Sequence, residues 1–492
     1  MKKLCLLLAL LLLFSGCGKQ AEVAQPTLPT AAPAKQDNPL VYFDIYAIND
    51  LHGRLLDTEQ QPGADELSGY LKQATETGNT ILLSTGDMWQ GTAESASTGG
   101  LIVTEWMNAL GFTAMTLGGH EYDWGEEQLR QNQELAAFPF LGINVYSRLT
   151  DQRVDYCQSS VTVDIDGVQV GIIGAIGDNY HAISMEHTQD VYFKTGEALT
   201  ALVKAEAENL RSRGADFIIY TIHDGCAETT SAPTPVSDET LSGYYDIALS
   251  QGFVDLVFEA DSHYTYTLTD CHGVYHLQAG GNNTGISHAR VMIDRSTGDV
   301  YVMAAEVIPS VKYSAVEADS IVEQLLEKYQ VQTSHVLGSN SRYRSGDDLC
   351  QLVAQLYCAM GVTQWGDAYD IVLGGGYLSC RSPGYLPEGD VTYSQLQSLL
   401  PFDNAITLCS IRGRDLISRF LETDLKAYHI HTTPYGDSIL GSIDPDGVYY
   451  VVTDTYTAYY SYNNLTVVDT YGDSIFARDL VADYIRSGNM EN

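Results

Sequence analysis

Five apolar runs in the first half of the chain each give way to a polar loop that carries Asp or His. Val41 to Ile48 leads into Asn49-Asp50-Leu51-His52-Gly53, and Ile81 to Leu83 leads to Gly86-Asp87. Phe112 to Leu117 leads into Gly118-Gly119-His120-Glu121-Tyr122-Asp123, Phe217 to Tyr220 to His223-Asp224-Gly225, and Val254 to Phe258 to Asp261-Ser262-His263. Short apolar runs ended by turn residues predict buried strands. Between them Leu67 to Glu76, Leu101 to Leu110 and Gly196 to Arg213 read as helices. Alternating strands and helices predict an α/β arrangement, in which ligands bind beyond the carboxyl ends of the strands.

Val161 to Ala175 predicts a hairpin turning at Asp166-Gly167, and Tyr266 to Ala279 and Ala289 to Ile308 predict antiparallel pairs turning at His272-Gly273 and Thr297-Gly298. Antiparallel additions of this kind imply a layered sandwich of sheets with helices outside. Ala315 to Gln330 predicts an amphipathic helix, followed by a polar, Ser-rich stretch that suits a domain boundary near residue 330. The second half predicts a helix over Asp348 to Met360, a strand Ile371-Val372-Leu373 opening into Gly374-Gly375-Gly376, a short helix Thr392 to Leu400, and strands Ala405 to Ile411 and Tyr449 to Thr453. Three glycines after a strand allow a close approach to a ligand or a sharp turn.

Composition narrows the function. The 492 residues carry a formal net charge of −37, which argues against binding nucleic acid over a basic face. An anionic substrate would need local positive charge, from metal ions or a few arginines. Met1-Lys2-Lys3 and the apolar run Leu4 to Phe14 form a signal sequence too short to span a bilayer. It ends in Leu13-Phe14-Ser15-Gly16-Cys17, which resembles a bacterial lipobox and predicts a lipid anchor on Cys17. Residues 17–39 are rich in Ala, Pro, Gln and Thr and suit a flexible tether. The expected location is therefore extracytoplasmic, with contact to the membrane only through that anchor. Seven cysteines remain beyond Cys17, an odd number that leaves at least one out of any disulfide scheme.

An Asp and a His two residues apart, a second Asp able to bridge, and distant His residues at one sheet edge are what a two-metal phosphoesterase needs. Ions about 3.5–4 Å apart polarise the phosphoryl oxygens and generate hydroxide at neutral pH. Mixed oxygen and nitrogen ligands suit manganese, iron or zinc. The ordered set resembles the calcineurin-like metallophosphoesterases, and within them the bacterial bifunctional UDP-sugar hydrolase/5′-nucleotidase family. Gly374-Gly375-Gly376, Gly389-Asp390-Val391-Thr392-Tyr393 and Pro401-Phe402-Asp403-Asn404 are similar to that family's C-terminal domain.

The resemblance implies a four-layer metallophosphoesterase sandwich over 40–312, a linker helix and hinge over 313–345 about which the domains rotate, and a smaller α/β nucleotide-binding domain over 346–492. It implies that Asp50, His52 and His263 hold one divalent ion, that Asp87 bridges, and that His223 helps hold the other. His120 would stabilise the phosphoryl transition state and assist the leaving group, oriented by Asp123. Phe402 and Tyr456 would sandwich a base, with Asn404 beside it and Gly375 in the glycine loop.

The chain departs from the family in five places. Gly119 stands where the family has an Asn ligand, and Asp261 where it has a His. Asp261 can bind metal, and an anionic ligand partly offsets the lost amide; the expectation is a second ion that is either held more weakly or is a harder metal such as magnesium or manganese. On the substrate side Leu373 replaces an Asn, and Arg381 is the nearest substitute for an Arg that follows the glycines. Tyr459-Tyr460-Ser461-Tyr462 replaces a Gly-Gly-Asp loop. The expected function is hydrolysis of nucleoside 5′-phosphates or related esters. Alternatives are a cyclic-nucleotide or nucleotide-sugar phosphodiesterase on the same fold, and a non-catalytic ligand-binding lipoprotein.

Overall fold

A computed structural model describes residues 38–57, 62–76, 78–177, 183, 187–225, 252–270, 272–329, 335–381, 383–421, 426–429, 443–459 and 464–490. The signal sequence, the lipobox, residues 17–37 of the tether and Tyr460 to Tyr462 lie outside the described residues. Among the described residues no helix is long and apolar enough to cross a membrane.

Two six-stranded sheets build the first part. One runs Asp299–Pro309, Gly285–Asp294, Leu40–Ile48, Thr80–Ser84, Ala114–Thr116, Phe140–Leu141, and its last four strands are mutually parallel. The other runs Thr265–Thr269, Tyr275–Ala279, Leu256–Phe258, Phe217–His223, Val168–Ile176, Ser160–Ile165, with four parallel strands at its centre. The three antiparallel pairs expected from the sequence form, turning where Asp166-Gly167, His272-Gly273 and Thr297-Gly298 place them.

The period of two along Leu40–Ile48 decides which face meets which layer. Val41, Phe43, Ile45 and Ala47 point at the other sheet and meet Ile172, Phe217 and Leu256, with Phe43 edge-on to Phe217 at 5.9 Å. Tyr46 and Ile48 point the other way, into a layer that includes Leu67, Leu71, Trp106 and Met107 from the helices Ala64–Glu76 and Leu101–Leu110. The helix Gly196–Ser212 covers the second sheet through Leu199, Val203, Ala207 and Leu210. The result is helix, sheet, sheet, helix. Each buried Leu, Ile or Phe in this stack contributes about 1.5–3 kcal/mol.

The second part has a five-stranded sheet ordered Lys426–His429, Ile371–Gly376, Val448–Asp454, Ala405–Arg412, Thr466–Phe476. The helix Gly346–Trp365 packs on it, starting at a capping box in which Ser345 and Asp348 satisfy each other's backbone N–H. It runs further than the expected Asp348 to Met360.

Two expectations need correction. The helix predicted over Ala315 to Gln330 spans only Ile321–Tyr329. Asp319, whose carboxylate accepts the Ile321 N–H at 3.0 Å and binds Lys72 at 2.7 Å, sets a later start. The glycine triplet is not a turn but the end of the strand Ile371–Gly376. A Cβ at Gly374 would stand 2.5 Å from the Cys358 N atom, so the missing side chain lets a helix lie against the strand.

Residues 313–329 pack with the first part, where Tyr313, Val322 and Leu325 join its helical layer. Val336–Asn340 and Arg344–Ser345 pair with strands of the second part.

Candidate metal centre and substrate cavity

Because the central strands run parallel, their carboxyl ends deliver the polar loops to one edge. Backbone bonds then lock two of those loops in register: Asp50 N donates to Gly86 O at 3.0 Å, His52 N to Asp87 O at 2.9 Å, and Gly53 N to Met88 O at 2.8 Å. Close approach needs glycine at two points. A Cβ on Gly86, whose φ is +97°, would lie 2.6 Å from Gly118 N, and one on Gly118 would lie 2.6 Å from Asp87 N.

Asp50, His52, Asp87, Asp261 and His263 all have positive φ, between 49° and 67°. Left-handed backbone costs a non-glycine residue about 1–3 kcal/mol and persists only where the surroundings over-determine it. Concentrated on five residues of one site, it turns their side chains toward a common centre.

Three groups of ligand-competent side chains result: Asp50, His52 and His263; Asp50, Asp87 and His223; and His52, Asp87 and His120. His52 donates from Nδ1 to the Gln90 carbonyl at 2.9 Å, and His223 from Nδ1 to the Thr85 carbonyl at 2.7 Å. A carbonyl only accepts, so each ring keeps its proton on Nδ1 and turns the lone pair of Nε2 inward, as metal-binding imidazoles do.

The inward atoms face one another and Asp87. His52 Nε2 faces His263 Nε2 at 3.0 Å, and buried His223 Nε2 sits 3.2 Å from Asp87 Oδ2 in poor alignment for a hydrogen bond. Burial, then the neighbouring His263, lowers the His52 pKa well below its ordinary value. Burial also disfavours charge on His223, but Asp87 first and then Asp50 and Asp261 pull its pKa well up. Carboxylates crowded in a buried site need a compensating cation, and two divalent ions on these mixed donors would supply it.

Asp261 lies at the margin. Its backbone N–H donates to both Asp50 carboxylate oxygens, at 3.2 and 3.0 Å, and its Oδ1 is 3.8 Å from His223 Nε2. Gly119 leaves space where a longer side chain would reach, since a Cβ there meets only Ile183 at 3.3 Å.

His120 and Asp123 flank the centre, joined Nδ1 to Oδ2 at 2.7 Å. Burial lowers the His120 pKa, but Asp123 and then Asp87 outweigh it and raise the value to about 9. Next to His120 opens a cavity of about 160 Å³ whose lining includes Asp123, Arg381, Phe402, Asn404 and Tyr456. Gly375 is not in the described lining.

Arg381 reaches the position at which the sequence places a substitute arginine. Its Nη2 lies 3.5 Å from His120 Nε2, and its guanidinium sits 5.0 Å over the Phe402 ring. The guanidinium and the imidazole thus converge at the cavity, and both can donate to one anion when His120 is protonated. Phe402 stacks on His120 itself, 5.3 Å between ring centres at 24°.

Glu121 and Gln90 are structural contributors that the sequence pattern does not assign. The buried Glu121 carboxylate accepts from Asp87 N, Met88 N and Gly118 N at 2.9, 2.8 and 2.7 Å, tying two of the polar loops together. Its place beside His120 was the available signal. Gln90, which donates from Nε2 to Pro401 O at 2.5 Å while its carbonyl holds His52, links the centre to the Phe402 loop and has no sequence signature.

No family model matches the chain. Over 445 residues it is 26% identical to Endonuclease YhcR of Bacillus subtilis, covering 82% of this chain and 34% of that protein. The chain therefore spans about a third of that relative's length. Over 386 residues it is 25% identical to Protein UshA of Yersinia enterocolitica, covering 70% of this chain and 68% of the relative. Its fold matches that of a 5′-nucleotidase precursor from Thermus thermophilus, with a TM-score of 0.69 at 18% identity over 91% of this chain and 96% of the other.

Proposed function

We infer the reaction from the family to which the chain belongs, the bifunctional UDP-sugar hydrolase/5′-nucleotidases, which makes it a phosphohydrolase acting on nucleotides. Within that class we assign it the cleavage of nucleoside 5′-phosphates or closely related esters outside the cytoplasm. The location rests on the lipobox at Cys17.

One observation carries the reading: the two convergent donors, Arg381 Nη2 and His120 Nε2, open onto a centre built from Asp50, His52, Asp87, His223 and His263. Divalent ions bound by those residues, with Asp261 beside the second, would polarise the phosphoryl oxygens and lower the pKa of an attacking water.

The chain's own groups do the rest. Arg381 binds the non-bridging oxygens, and protonated His120 stabilises the charge that grows on them. The Asp123 carboxylate fixes the imidazole with Nε2–H toward the cavity, from which it donates to the leaving ester oxygen. Phe402, Tyr456 and Asn404 bound the space left for the base or other leaving group.

The test is hydrolysis by the full chain with manganese of AMP, UMP, a cyclic nucleotide, UDP-glucose and an aryl phosphate, with the nucleoside, nucleotide and phosphate products separated by chromatography. The reading expects the nucleoside monophosphates to rank first. Fastest hydrolysis of the cyclic nucleotide or UDP-glucose would replace it with the phosphodiesterase reading, and no turnover of any compound would support a ligand-binding role.

A further inference from the structure

We propose that Cys350 and Cys380 are a covalent modification site, a dithiol–disulfide couple whose oxidation fixes Arg381 at the anion side of the cavity. The proposal rests on the phosphohydrolase reading only for what Arg381 binds.

The two sulfurs lie 3.9 Å apart. A disulfide needs about 2.05 Å, so the remaining approach is small enough for side-chain rotation. Cys350 is buried near the start of the helix Gly346–Trp365, whose first turn the Ser345–Asp348 capping box holds in place. Cys380, which is partly exposed, lies on the segment that leaves the strand Ile371–Gly376, and its thiol also approaches the Gly346 carbonyl at 3.5 Å. One partner is anchored in a rigid helix and the other in the cavity wall.

Arg381 is the residue next to Cys380. Its main chain is held by Arg381 N to Leu399 O at 3.0 Å and by Gly384 N to Arg381 O at 2.8 Å. A bond through Cys380 adds a third fixed point, one residue from the guanidinium that faces His120. Pre-organising a binding group lowers the ordering cost of the anion it receives.

The oxidant is a small or protein disulfide, RSSR. The Cys380 thiolate attacks one of its sulfurs, forming a mixed disulfide and releasing one RSH with a proton from solution. Cys350, as thiolate, then attacks Cys380 Sγ and releases the second RSH, so two protein thiols become one S–S bond as RSSR becomes two RSH. The Cys350 contact and then burial push the Cys380 thiol well up. Uncatalysed disulfide rearrangement takes minutes to hours.

The full chain is incubated overnight with oxidised glutathione or with a phosphine reductant, alkylated, and mapped by peptide mass spectrometry, with AMP kinetics on both samples. The proposal expects a Cys350–Cys380 cross-linked peptide only after oxidation. It expects KM about 3–10-fold lower in the oxidised form with kcat nearly unchanged, the size of a modest change in one charge-assisted contact. Cys350→Ala and Cys380→Ser, each checked for wild-type melting, should both remove the redox difference. Alkylation of both thiols after oxidation would overturn the proposal, as would a cross-link that leaves KM unchanged. Should AMP not be hydrolysed, the phosphohydrolase reading fails separately. Calorimetric affinity for AMP in the two redox states then decides the couple, with equal affinities counting against it.

Discussion

His120 and Asp123, three residues apart on one short turn, share a 2.7 Å hydrogen bond that fixes which imidazole nitrogen faces the cavity. The same carboxylate is the largest influence raising the His120 pKa to about 9 against the lowering effect of burial. Orientation and proton affinity therefore come from one contact.

An acid catalyst works while protonated, so activity should fall as pH rises through the His120 pKa. Asp123→Asn removes the leading raising influence and leaves burial, so the alkaline limb of kcat/KM should move down by more than about one pH unit. A pH–rate profile of the variant checks this. An unmoved limb would take His120 out of the acid role.

Glu121→Gln places an amide NH2 against the N–H groups of Asp87, Met88 or Gly118, since each carboxylate oxygen now accepts from them. Losing one such buried acceptor costs about 1–3 kcal/mol. Denaturation should show a loss of that size together with weaker metal retention on dialysis. Wild-type stability would show that the loops are held by other contacts.

Gly119→Asn tests the vacant ligand position. Gly119 has ordinary right-handed φ and ψ of −68° and −44°, and only Ile183 crowds the new Cβ. An added amide oxygen should tighten the weaker ion by about tenfold, the scale of one further polar ligand contact. Calorimetric manganese titration reads the change directly, and an unaltered second constant would place Gly119 outside the ion's reach.

Arg381→Ala deletes a charged donor and its packing on Phe402. KM for a nucleoside monophosphate should rise about 10–100-fold, corresponding to roughly 1.5–3 kcal/mol for a hydrogen bond to a charged group. Arg381→Lys should recover only part, because a lysine cannot both stack on the ring and present a planar fork.

The Asp- and His-bearing loops were legible because each follows a parallel buried strand, and the strand's end dictates where its Asp or His must go. Asp50, His52, Asp87, His223 and His263 accordingly meet, though they are spread over more than two hundred positions. Arg381 was legible as a displaced charge near the glycines. The glycines were less legible, because a run of small residues looks the same in a sharp turn as in a strand that a helix packs against. Stacking of Phe402 on His120 joins residues of the two halves through packing, and no local pattern encodes that contact.

The central claim is that the clustered Asp and His residues bind the ions on which phosphate release depends. The most direct measurement strips the full chain with a chelator and follows AMP hydrolysis during manganese titration, for the native chain and for Asp87→Asn. The account predicts no activity in the stripped chain, saturation near two ions per chain, and loss of about a hundredfold or more in the variant, the scale of removing several kcal/mol of transition-state stabilisation. Phosphate release that survives chelation, or that is unchanged in Asp87→Asn, would contradict it.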